Sequence, residues 1–176
     1  MNESLSFEHP DHGASTPMRR LLEWLAQAFA LGGGLVLLVL IGMSLISIIG
    51  RKLFAMPIRG DMELVEIGAA VAIAAFLPLC ELRGNHLRAD TFTLAAPASV
   101  KRGLDALAHL LCAFVSVLLA WRTSLQLLDS REYGDATTLL ALPLWLALAL
   151  IVPSLMLLAF CALQRMVETW RPGAQA

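Results

Sequence analysis

Charge is scarce in this chain, and what there is leans neither way. Only 15% of its 176 residues are Asp, Glu, Lys or Arg, against about 25% in an ordinary soluble domain, and the net charge is −1. Without a basic excess there is no electrostatic footprint for nucleic acid, so no nucleic-acid partner is expected. Cysteine is equally sparse. Cys80, Cys112 and Cys161 lie within or beside apolar runs, with no CxxC pair and no Cys/His cluster at metal-ligand spacing. They read as small core residues, and the paired cysteines that a membrane thiol oxidase needs are missing. Only His109 falls inside an apolar run, so the paired axial ligands of a membrane cytochrome are missing too, and a helix-packing role is expected of it. These absences speak against catalytic chemistry, a cofactor or a metal site. Nor is there an internal repeat, or a matching pair of Gly/Pro-broken segments, to mark a transporter's own binding site.

What is present is apolar sequence. Apolar residues make up 58% of the chain and mean hydropathy is +0.72. Four runs of roughly 20 residues or more, each long enough to cross a bilayer, occupy about 21–50, 62–82, 104–128 and 139–163. The expected fold is an all-α membrane protein with four transmembrane helices over 19–166, between a polar tail at 1–18 and a second tail at 167–176. The first run is too long for a signal peptide and ends in Arg51-Lys52, so it reads as a retained span. Pro78 and Pro153 fall inside the second and fourth runs, where neighbouring helices can resupply the backbone bonds they remove. The connection after the second run is long for a helical hairpin. Its stretch from Leu87 to Val100 suits an interfacial segment lying among lipid headgroups.

Of the thirteen Lys and Arg residues, eight fall on the side of the two termini and the middle loop and five on the other. By the positive-inside rule both termini are expected in the cytoplasm. The last loop, with Asp129, Glu132 and Asp135 against Arg131, then presents net negative charge outward. It is a candidate docking surface or a solvated turn.

Ionisable groups within spans are functional candidates by default. Glu63 and Glu66 stand three residues apart in the first turns of the second span, at the positive end of the helix dipole. They are expected either to pair with Arg51 or Arg59 across the short first loop or to meet a partner subunit. Gly68 with Ala72, and Ala70 with Ala74, are small residues four apart that mark close helix contacts, within the chain or with another. "CELRGNHLRAD", residues 80–90, gathers Glu81, Arg83, His86, Arg88 and Asp90 into what reads as one loop.

Arg51 and Phe54 after the first span, "GDMELVE" opening the second, and Gly84-x-His86-Leu87-x-x-Asp90 after it together resemble the small permease subunit of tripartite ATP-independent periplasmic (TRAP) transporters. The matching positions are Arg51, Phe54, Asp61, Glu63, Leu64, Gly84, His86, Leu87 and Asp90. Arg59-Gly60 replaces an aromatic frequent before the acidic pair, and Pro78 is a further departure. The resemblance implies a bacterial inner-membrane protein joined to a large multi-span permease subunit and a periplasmic substrate-binding protein. Together these import organic acids on a sodium gradient, with the solute and sodium sites on the large subunit and the small one as scaffold. Arg51, Glu63, Glu66, His86, Arg88 and Asp90 are then the expected partner or structural contacts, with no substrate contact. A self-sufficient homo-oligomeric transporter or channel is the alternative.

Overall fold

The computed structural model describes residues 17–54, 60–83 and 98–170. Four α-helices account for nearly all of them: α1 Pro17–Phe54, α2 Asp61–Leu82, α3 Ala98–Tyr133 and α4 Leu144–Trp170. All four are long and apolar enough to cross a membrane. At a rise of 1.5 Å per residue, α2 with its 22 residues is about 33 Å long, close to the hydrocarbon thickness of about 30 Å. The 38 residues of α1 and 36 of α3 reach well over 50 Å, so their ends stand out into the headgroups or beyond.

The helices alternate in direction and pack in the order α1, α2, α4, α3, with a lighter contact of α1 on α4. The two shorter helices are central and the two longer ones flank them. Small residues set the α1–α2 seam. A Cβ placed on Gly33 would stand 2.9 Å from the Ala75 Cβ and 3.1 Å from the Ala72 carbonyl oxygen, and one on Gly68 would stand 2.7 Å from a methyl of Leu40. Close approach of this kind strengthens packing where no hydrophobic effect separates helix from lipid. The small residues of α2 are thus used inside the chain, Gly68 and Ala72 against α1; Ala70 is exposed. On α3 the inward line is Ala106, Ala113, Ser116, Ala120 and Ser130, all buried, with His109 on the same heptad line, a spacing that keeps one face toward α4.

Pro78 is wholly buried in α2. Lacking an N–H, it leaves the Ala74 carbonyl without its helical donor. The hydroxyl of Ser154 on α4, itself buried, donates to that carbonyl. The resupply expected from a neighbouring helix is met by a single serine.

Helix ends differ from the apolar runs. α3 extends past both ends of 104–128 and stops at Gly134, whose φ of 70° suits the left-handed residue after a helix. α4 starts at Leu144 rather than 139, because residues 139–142 turn in a loop closed by Thr137 N–H to the Leu142 carbonyl, 2.9 Å, and Leu144 N–H to the Asp135 carbonyl, 3.1 Å. Of the interfacial segment expected over Leu87 to Val100, residues 87–97 lie outside the described residues and 98–100 open α3.

Candidate functional site

The acidic start of α2 organises one end of the bundle. Gly60, at φ 78°, turns the chain into the helix, and a side chain there would strike Leu140 of the last loop. Asp61 then reaches α1. The Ser47 hydroxyl donates to Oδ2 at 2.6 Å, the Met62 N–H donates to Oδ1 at 2.8 Å, and Arg51 Nη2 stands 3.6 Å from Oδ2. Glu63 reaches the other way. Its carboxylate accepts from Thr138 Oγ1 at 2.7 Å and from the backbone N–H groups of Leu139 and Leu140 at 2.9 and 3.2 Å. Two carboxylates two residues apart thus fasten the start of α2 to α1 and to the α3–α4 loop.

Of the two arginines expected to pair with Glu63, Arg51 pairs instead with Asp61 and Arg59 lies outside the described residues; Glu63 holds the last loop. Glu66 does neither. It is exposed on α2, in line with exposed Met62 and Ile73, and its carboxylate has no partner among the described residues.

The opposite end is fastened by ion pairs and one buried cluster. Arg19 on α1 lies 2.8 Å from Glu23 and 3.7 Å from Glu168 of α4; Gln164 donates to Glu168 at 3.3 Å and Arg165 lies 3.9 Å from it. Glu81 is not in a loop, as its charged neighbours suggested, but in the last turn of α2, 1% exposed. Its Oε1 stands 2.6 Å from Nδ1 of His109 on α3, and the Cys112 thiol approaches Oε2 at 3.9 Å. Broad packing does not join α2 to α3, so this contact bridges them. His109 is thus a helix-packing histidine. The sequence did carry a signal for its partner: Glu81 closes one apolar run and His109 lies near the start of the next, at the same end of the bundle.

Cys161 is buried, Cys112 half-buried and Cys80 exposed, so only the first is fully a core residue. Among the described residues no group of three or more His, Cys, Asp and Glu side chains could hold a metal ion. Arg122 is exposed on α3. Asp129, Glu132 and Asp135 are all exposed at the Glu63 end, but the first two belong to the last turns of α3 and only Asp135 to the loop. His86, Arg88 and Asp90 lie outside the described residues.

Four antiparallel apolar helices, with the polar groups described gathered mostly at the two ends and spent on holding helix to helix, define a multi-pass membrane protein. A family model described as "Tripartite ATP-independent periplasmic transporters, DctQ component" matches residues 40–172, most of the chain. The protein belongs to this family and is the small membrane subunit of a TRAP transporter. The family is one of transporter subunits rather than enzymes, and its members work with a large permease subunit and a periplasmic binding protein. Neither the curated proteins nor the solved structures searched gave a match.

Proposed function

We propose that this subunit is the stationary scaffold of a sodium-coupled importer of organic acids. It sits in the bacterial inner membrane with both termini in the cytoplasm. It holds the large permease subunit in place while that subunit carries solute and sodium. The observation that carries the reading is Glu66. A carboxylate on the outward face near the start of a membrane helix, without a partner among the described residues, is poorly accommodated by lipid. It becomes favourable when another chain brings a cation or hydrogen-bond donor to it. The neighbouring carboxylates Asp61 and Glu63 are already committed inside the chain, which leaves Glu66 as the acid for an outside contact. The charge bias of the loops supports the orientation.

With that orientation Asp129, Glu132 and Asp135 form an acidic rim on the periplasmic side, suited to seat the binding protein by charge complementarity. His86, Arg88 and Asp90 are proposed as structural or partner contacts rather than substrate contacts, so replacing His86 and Asp90 with Ala impairs assembly or transport without changing which solute is carried.

The test is recovery of the tagged chain from native membranes in mild detergent, with mass spectrometry of what accompanies it. One large polytopic protein at near-equal amount is expected, and its yield falls with Glu66→Leu while Glu66→Gln keeps part of it. Recovery of the chain as a stable homo-oligomer without that protein would overturn the reading.

A further inference from the structure

Between α1 and α2, in the half of the bundle nearer the α1 N terminus, runs an apolar groove of about 790 Å³, within the range of roughly 300–1,000 Å³ typical of small-ligand sites. Its walls are Leu31, Leu35 and Leu38 of α1 and Phe76 and Leu79 of α2, and its outer end carries Gln27 and Arg83. Gly34 keeps it open: a Cβ there would meet only the edge of the Phe76 ring, at 3.9 Å. From Gln27 to Leu38 the helix rises about 16 Å, close to the depth of one leaflet, half of a hydrocarbon core of about 30 Å.

The polar groups sit where a headgroup would. Arg83 is exposed and makes no ion pair among the described residues. Arg20 and Trp24, both exposed, precede Gln27 at the four- and three-residue spacing that keeps them on the same face of α1. One line along α1 therefore passes from cation to interfacial aromatic to amide to leucines, the order in which a phospholipid presents phosphate, glycerol region and acyl chain.

We infer that this groove is a binding site for an anionic phospholipid of the leaflet at the α1 N-terminal end. An acyl chain lies along Leu31, Leu35 and Phe76, and the phosphate accepts from Arg83 and Gln27. A planar guanidinium with parallel N–H donors suits phosphate oxygens, and a basic group between membrane helices is a recognised basis for anionic headgroup binding. The inference rests on the chain lying in a membrane and goes beyond the scaffold reading, which can fail without it.

The test is native mass spectrometry of the complex from native membranes and of the chain alone, each offered phosphatidylglycerol and phosphatidylcholine in equal amounts. One retained phosphatidylglycerol is expected, preferred about fivefold over phosphatidylcholine, the factor one surface cation supplies. Arg83→Gln removes the preference, and Gly34→Leu, which fills the groove, removes both lipids with helicity unchanged. Should Gly34→Leu fail to fold, Leu35→Trp narrows the groove from its other wall. Equal retention of the two lipids by the wild type, a preference surviving Arg83→Gln, or a lipid surviving the filled groove would each overturn the inference. So would a complex that holds no lipid while the isolated chain does, since a helix of the large subunit would then fill the groove. Partner recovery is read in the same spectra, so loss of the complex is distinguishable from loss of the lipid.

Discussion

The Ser154 hydroxyl stabilises the bundle because Pro78 exists, and that dependence can be measured. In Ser154→Ala the Ala74 carbonyl, buried between α2 and α4, loses its donor. Stranding a buried acceptor costs about 1–3 kcal/mol, whereas hydrogen bonds between membrane helices average only about 0.6 kcal/mol, because separated helices usually find other partners. Here the separated helix finds none of its own, since the group that should serve Ala74 is the proline nitrogen. The cost should therefore lie toward the upper part of the membrane range, about 1–1.5 kcal/mol. In a Pro78→Ala background the new backbone N–H serves Ala74 directly, and the same serine replacement should cost less than about 0.5 kcal/mol. The assay is reversible unfolding in mixed micelles with rising SDS, followed by far-ultraviolet circular dichroism on all four members of the cycle. Equal costs in the two backgrounds would refute the reasoning and reduce Ser154 to a small residue that merely fits.

Three further outcomes follow from the same contacts. Gly33→Ala forces a Cβ to 2.9 Å from that of Ala75 and should destabilise by about 1–3 kcal/mol, while Gly32→Ala, with open space around it, should be neutral or slightly stabilising in the same titration. His109→Leu removes the imidazole that joins Glu81 to α3 and should cost about 1–3 kcal/mol in the same titration. Glu63→Gln keeps one acceptor oxygen and sets an amide donor against the N–H of either Leu139 or Leu140, so hydrogen exchange at one or both of these amides should quicken while the helices stay protected; unchanged exchange at both would show that the carboxylate does not hold the loop.

The four spans were legible because a bilayer demands an unbroken apolar run, and that demand is local. The helix ends were not, because beyond the hydrocarbon a helix tolerates charge. α3 takes in Asp129, Arg131 and Glu132 and stops only where Gly134 supplies a left-handed residue. Leu139 and Leu140 misled in the opposite sense. They are apolar enough to belong to a span, yet their N–H groups are claimed by Glu63, 76 and 77 residues away in sequence. Glu81 looked like a loop residue beside Arg83 because charge density was the only cue. Its burial depends on His109 arriving from another helix, and nothing within one segment reports that. The family resemblance on Arg51, Asp61 and Glu63 was legible for a physical reason: those side chains serve a junction whose partners, Ser47 apart, lie in or beside short connecting segments.

Where the polar contacts fall also bears on what this subunit can do. Asp61 ties α2 to α1, Glu63 ties α2 to the α3–α4 loop, Glu81 ties α2 to α3, Ser154 ties α4 to α2, and Glu168 ties α4 to α1. Sliding or tilting any one helix breaks at least one of these, and in a medium of low dielectric an opened polar pair is not cheaply re-solvated. Between the ends, seams of glycine, alanine and serine hold the backbones too close for the rotations that rearrange larger interdigitated side chains. A bundle tied in this way resists internal sliding and tilting of its helices, which is the physical ground for proposing a stationary role for it. Among the described residues, what these ties leave unspent on α2 is one carboxylate, Glu66, and near the end of α3 and in its loop the exposed acids Asp129, Glu132 and Asp135.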